Sequence, residues 1–273
     1  LGAEVRFCGR LIHGGFRETL EKEFTFLPFP EIDALPIDPA NGVWLPSSQE
    51  EDAVATMDVL ATCDAWNPDW IVVDHYGLSA DWQHRMRAAL LKVKITAIDD
   101  LANRPQAPDL LIDHNDFGET TMSRYSSLID ASTRLCLGPQ FALLDPLYGL
   151  LSAAVPKRLR LRRLLISLGG AGDAALLESI LQALVDLPAN QVQIQLVQGG
   201  LAQSSNRIKN LCTHLNVDCF SAVPNLAPLM IAADCCIGAG GTTTWERLCL
   251  GLPCITFALA KNQEIYSQEL DRR

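Results

Sequence analysis

Nine cysteines are spread over 273 residues, yet no two of them are separated by two positions. Without a Cys-x-x-Cys pair there is no zinc-ribbon or thioredoxin-like spacing, and an odd count gives no closed disulfide framework. Cys8, Cys136, Cys235, Cys236 and Cys254 lie inside apolar runs, where cysteine packs as a small hydrophobe. The expectation is a reducing compartment. Basic residues are also scarce: 22 Lys and Arg stand against 32 Asp and Glu, for a formal net charge of -10. That balance argues against nucleic acid or an anionic membrane as partner, so an anionic ligand would be held by helix ends and backbone amides. No apolar run reaches bilayer length, no secretory signal is seen, and no repeat or low-complexity tract occurs. A cytoplasmic protein is expected. His13-Gly14-Gly15 invites an oxyanion-hole reading, but no Gly-x-Ser-x-Gly elbow accompanies it.

What the chain does contain is alternation. Apolar runs at 4–8, 70–74, 94–98, 110–113 and 133–137 are separated by helix-like stretches, clearest at 48–63 and 81–91. The first of these opens on Ser47-Ser48, followed by Glu50 and Glu51, the pattern of a hydroxyl cap with a reciprocal acid. The second half repeats the rhythm with runs at 164–168, 192–197, 217–220, 234–237 and 254–257, and a strong helix at 176–187. Such alternation predicts mainly parallel sheets covered on both faces. The expected fold is α/β, two doubly wound Rossmann-like domains facing across a cleft, spanning 1–155 and 156–273. Between them, Pro156-Lys-Arg-Leu-Arg-Leu-Arg-Arg163 reads as a solvated linker running into the next strand, with a basic patch as the alternative.

Three clusters carry chemistry. The strongest runs from Cys236 through Gly238-Ala-Gly-Gly-Thr-Thr-Thr-Trp-Glu246, then Gly251 to Phe257, then Asn262-Gln263. It reads as strand, glycine turn, helix start, strand and polar loop. A Gly-Gly-Thr-Thr turn opening a helix offers unpaired N–H groups and hydroxyls to an anion, with the positive end of the helix dipole behind them. Glu246, about one helical turn on, can accept hydrogen bonds from a ribose. A plain βα turn is the competing reading. The second cluster, Gly170-Ala-Gly-Asp-Ala-Ala175, formally matches a dinucleotide fingerprint. The next strand, however, ends in Gln198-Gly-Gly200, with no carboxylate for a ribose, which argues against a Rossmann cofactor. The third cluster lies in the first half, where one run ends in Asp74-His75-Tyr76 and another in Asp99-Asp100. These could be a metal site, an acid–base pair, or caps for loop amides.

In order, Val73-Asp-His-Tyr-Gly77, Ile98-Asp-Asp-Leu-Ala-Asn-Arg104, Leu137-Gly-Pro-Gln-Phe-Ala-Leu-Leu144, Ile166-Ser-Leu-Gly-Gly170, Gly238 to Arg247 and Asn262-Gln263 resemble the PseG family. These are UDP-2,4-diacetamido-2,4,6-trideoxy-β-L-altropyranose hydrolases of pseudaminic acid synthesis. The glycine–threonine landmark is shared in looser form with MurG-like glycosyltransferases. The resemblance implies a GT-B-like fold and attack of water at the anomeric carbon of a UDP-sugar, with inversion and loss of UDP. The free sugar would go on to a nonulosonic acid for surface glycans or flagellin. It further implies that Gly240, Gly241, Thr242 and Thr243 hold the diphosphate and Glu246 the ribose. Gly170 would lie at the nucleotide side, Val223 and Asn225 near the uracil, and Gln263 among the UDP contacts. Tyr76 and Asn262 would line the sugar–phosphate junction as catalytic groups. No metal and no further cofactor are implied; the partners are UDP-sugar and UDP.

In one respect the sequence departs from the family. Members begin with a strand and a Gly-x-Gly-His turn whose histidine is the expected general base, and no Gly-His pair occurs here. The first strand–helix unit and the closing helices of a GT-B chain are also missing. The expectation is therefore a fold incomplete at both termini, a fragment with weak or no hydrolysis. A UDP-sugar glycosyltransferase of MurG type and a non-catalytic nucleotide-sugar-binding module are the alternatives.

Overall fold

Parallel strands joined by helices account for nearly all regular structure in the computed structural model, which describes residues 2–10, 20–32, 37–38, 43–63, 66–169, 172–186, 191–199, 205–221 and 223–272. Two compact units are present, Leu1–Phe141 and Ala142–Arg273. Among the described residues, no helix is long and apolar enough to cross a membrane.

In the first unit, β1 (Arg6–Gly9) pairs in parallel with β2 (Thr25–Pro28). A separate parallel sheet follows the order β3 (Trp70–Asp74), β4 (Lys94–Ile98), β5 (Leu110–Asp113) and β6 (Arg134–Leu137). Helices α1 (Gln49–Ala61) and α2 (Ala80–Ala89) precede β3 and β4. The capping box expected at Ser48 is present: its hydroxyl accepts from the Glu51 amide at 3.1 Å, and Glu51 accepts from the Ser48 amide at 2.8 Å. Such a cap is worth about 1 kcal/mol. Ala53, Val73, Trp82, Met86 and Ile95 form the core that fastens both helices to the sheet.

The second unit opens with α3 (Pro146–Ser152), then β7 (Arg163–Ser167), α4 (Ala174–Leu184), β8 (Gln193–Gln198), α5 (Asn206–His214) and β9 (Asp218–Ser221). It continues with α6 (Ala227–Ala232), β10 (Cys235–Ala239), α7 (Thr242–Cys249), β11 (Cys254–Phe257) and α8 (Lys261–Asp271). The strands are all parallel, in the order β9-β8-β7-β10-β11. Chain progression therefore reverses between β7 and β10, which is the switch point where open α/β sheets bind ligands. Leu164, Ile166, Leu177, Ile180, Leu181 and Ile194 form one core layer, and Leu165, Met230, Cys236 and Leu250 the other. At roughly 1.5–3 kcal/mol per fully buried aliphatic side chain, these two layers dominate the stability of the unit.

Three features differ from the sequence expectation. The boundary lies at 141/142 and not at 155/156, because Tyr148 on α3 is buried in the second core with Leu144, Leu147 and Leu151 against it. Strand β2 was not foreseen: it is four residues long and ends in Pro28, which breaks the usual signal yet is tolerated at a strand end. Asn262 and Gln263 lie in the first turn of α8 and not in a polar loop. The basic stretch before β7 is structural: Arg158 donates to the carbonyls of Met230, Ala233, Leu250 and Gly251, at 2.8 to 3.3 Å. The amides of Arg162 and Arg163 both donate to Asp234.

Candidate nucleotide site

Strand β10 is buried on both faces and delivers Gly238 to Gly241 at the switch point. The Gly240 amide extends the ladder to the Phe257 carbonyl at 2.9 Å. Gly241 then turns with φ +105°, a region that side chains disfavour, and α7 begins. Helices α1 to α5 all have a side-chain cap, from Ser48, Ser79, Asp145, Asp173 and Ser205. Helices α6, α7 and α8 have none, and at α7 the cap residue is Gly241. The first N–H groups of α7 have no carbonyl one turn back within the helix, and they carry the positive end of the dipole.

Helix α8 closes one side of this turn. A Cβ on Gly240 would lie 2.9 Å from Gln263 Oε1, so a side chain there would displace Gln263 from the turn. Gln263 Oε1 also accepts from the Leu259 amide at 2.9 Å. The Tyr266 hydroxyl accepts from the Gly241 N–H, and its ring lies 6.2 Å from that of Trp245. The structure thus brings Gly240, Gly241, Thr242, Thr243, Glu246 and Gln263 to one βα turn, with Asn262 beside Gln263 on α8. Thr242 is exposed, while Thr243, Glu246, Asn262 and Gln263 are half-buried.

Tyr148, Tyr266 and Arg247 at this site were not anticipated from sequence. The Tyr148 hydroxyl donates toward the Glu246 carboxylate, while Glu246 Oε2 is buried without a partner among the described residues. Burial raises the Glu246 carboxyl above its ordinary pKa, against the pull of the Tyr148 hydroxyl and the Arg247 charge. An aromatic two residues after a helix-starting Asp-Pro was the available signal for Tyr148, and it points equally to a core residue.

Other expected contacts lie further off or have other work. Gly170 falls outside the described residues. Val223 and Asn225 follow β9, three strands from β10 in the sheet order. Asn225 Oδ1 accepts from the Ala227 amide at 2.8 Å, an Asx turn that leads into α6.

The first unit gathers its polar groups at the carboxyl ends of β3, β4 and β5. Asp99 is paired with Arg104 at 2.7 Å and accepts from the Ala102 amide and the Tyr125 hydroxyl, each at 3.0 Å. Asp113 is paired with Arg124 at 2.7 Å and also accepts from Tyr125 at 3.0 Å. Burial pushes the Asp113 carboxyl up to about 6, with the Asn115 amide and Arg124 pulling the other way. Asp99 and Asp113 thus belong to a packed internal network. Asp100 belongs to a second group: the Tyr76 hydroxyl donates toward it, and Asn115 Nδ2 donates to it at 3.2 Å. Burial and the Asp100 charge raise the Tyr76 phenol above its ordinary range. His75 Nδ1 accepts from the Gly77 amide at 3.0 Å, and burial lowers its pKa below the ordinary imidazole value. Among the described residues, no cluster of three His, Cys, Asp or Glu side chains has metal-binding geometry.

Residues 164–271 match the family model of the Glycosyltransferase family 28 C-terminal domain. A stretch of 137 residues is 23% identical to the spore coat polysaccharide biosynthesis protein SpsG of Bacillus subtilis (strain 168), covering 50% of this chain and 40% of that protein. The chain thus spans less than half the length of this curated relative. Among solved structures, MurG of Acinetobacter baumannii superposes with a TM-score of 0.53 at 12% identity, covering 99% of this chain and 75% of that one. UGT89C1 of Arabidopsis thaliana, complexed with UDP, gives 0.59 at 11% identity, covering 98% and 75%. CalG4, the calicheamicin glycosyltransferase, gives 0.56 at 11%, covering 99% and 77%. The fold is the GT-B-like α/β fold of these glycosyltransferases, built from two Rossmann-like units.

Proposed function

We propose that this chain acts on a nucleotide sugar, with the diphosphate of UDP at the start of α7 and the ribose at Glu246. One observation carries the reading. At the switch point of a parallel sheet, a helix opens on Gly241 with no side-chain cap, inside the segment that matches the family 28 C-terminal domain. Breaking an anomeric C–O bond requires stabilisation of the departing diphosphate and a base for the incoming nucleophile. The α7 turn supplies the first.

Glycosyl transfer from UDP-sugar to an acceptor is the reaction that the family match supports most directly. Inverting hydrolysis of a UDP-linked 2,4-diacetamido-2,4,6-trideoxy sugar is the second reading. It is favoured by Tyr76, whose phenol is held against Asp100 at the carboxyl end of β3, where the resemblance places a catalytic group. A cytoplasmic site of action fits either reaction.

Calorimetry of the Glu246→Ala variant tests the binding reading: UDP affinity should fall by roughly 1.5–3 kcal/mol, the range for hydrogen bonds to a charged group. Unchanged affinity in a folded variant would remove Glu246 from the site. Product analysis separates the reactions. Release of UDP only in the presence of a sugar acceptor supports transfer, and UDP with free inverted sugar supports hydrolysis. Tight UDP binding without turnover supports a binding module.

A further inference from the structure

Arg247 stands directly after the proposed ribose contact, yet its side chain turns the other way, into the protein. It is 1% exposed and the largest fully buried side chain among the described residues. One guanidinium nitrogen, Nη2, donates to the Ala239 carbonyl at 2.9 Å and to the Thr244 hydroxyl oxygen at 3.0 Å. The other, Nη1, donates to the Thr243 hydroxyl oxygen at 3.3 Å, and Nε has no partner among the described residues. Among the described residues, no carboxylate lies within ion-pair distance of it. Gly238 exists to make room: a Cβ there would collide with Nη1.

A buried cation with no carboxylate at ion-pair distance is costly, and proteins keep one chiefly where something else compensates it. Here the cation lies beneath the β10–α7 turn, in a chain whose formal net charge is -10. A hydroxyl whose oxygen accepts from a guanidinium keeps its own proton free to donate elsewhere. Arg247 therefore polarises Thr243 as a donor and leaves a positive charge, in low dielectric, behind the uncapped helix end.

We propose that Arg247 is a positioning residue of the diphosphate seat, orienting the Thr243 hydroxyl and answering the charge of the bound anion from below. The proposal rests on the UDP reading of this same turn. It makes a demand that packing alone would not: the contribution of Arg247 must scale with ligand charge.

The test is calorimetry of the full chain with UDP, UMP and uridine, for the wild type, Arg247→Gln, Arg247→Lys and Thr243→Val. Gln keeps donors but loses the charge; Lys keeps the charge. The expected result for Arg247→Gln is a loss of about tenfold or more for UDP, the low end for a charge-assisted bond. The loss should be smaller for UMP and absent for uridine, and Lys should restore most of it. Equal losses for all three ligands would show a merely structural role and overturn the proposal, as would no loss for UDP. Should Arg247→Gln fail to fold, Thr243→Val carries the same graded expectation, and a flat response there overturns it equally. A wild-type chain that binds none of the three would instead sink the UDP reading, and this proposal with it.

Discussion

Two glycine turns of the second unit look alike in sequence and behave differently in the fold. Both follow a buried parallel strand and both lead into a helix: β7 into α4, and β10 into α7. At α4 the Asp173 carboxylate accepts from the Leu176 amide at 2.9 Å, so the helix end already holds an anion of its own. At α7 the equivalent place is Gly241, which has no side chain to offer, and a buried guanidinium lies underneath. The lesson is that glycine density does not make an anion seat. On the proposed reading, a seat needs a helix start that the chain leaves without its own anion, backed by positive charge.

The sharpest way to break this comparison is to convert one turn into the other. Gly241→Asp would place a carboxylate where α4 carries Asp173, and UDP affinity should fall by about 100-fold as charge-assisted hydrogen bonds give way to repulsion. Because φ is +105° there, urea unfolding must accompany the titration to show that the variant is folded. Undiminished UDP binding by folded protein would end the distinction between the turns. The converse change, Asp173→Ala, should cost about 1 kcal/mol of stability through the lost cap and leave UDP affinity unchanged. A second equivalent of UDP bound by that variant would show that both turns are competent and that Asp173 alone decides between them. The smallest expected effect concerns metal. If dipole, amides and Arg247 meet the diphosphate charge, chelator should not alter UDP affinity, and recovery of lost binding by added magnesium would overturn that.

The periodic parts of the chain were readable because burial on both faces leaves an uninterrupted apolar run. Strands β3, β4, β5 and β11 occupy the residues expected from the sequence, and the Ser48 capping box forms as its spacing predicts. Where the pattern is short or mixed, it failed. Strand β2 has only four residues, and the first turn of α8 carries Asn262 and Gln263, polar residues that read as loop. Asp99 and Asp100 read as possible catalytic carboxylates, yet Asp99 is held by Arg104 and by Tyr125, which reaches it only once β4, β5 and their loops are assembled.

By itself, the sequence determined the alternating α/β architecture, the glycine turn after β10 and the helix that follows it, because these depend on local periodicity and backbone freedom. It also placed Thr242, Thr243 and Glu246 on the first turns of that helix, a matter of spacing alone. Only the tertiary structure decided which glycine turn stays open, since Asp173 and Gly241 differ in what they do to a helix end and not in the pattern around them. Only tertiary structure put Tyr148 against Glu246 and turned Arg247 inward beneath Thr243. The physical reason is burial: a charge acquires its role from the groups packed around it, whether these come from a distant part of the chain, as Tyr148 does for Glu246, or from the adjoining strand and turn, as Ala239 and Thr243 do for Arg247.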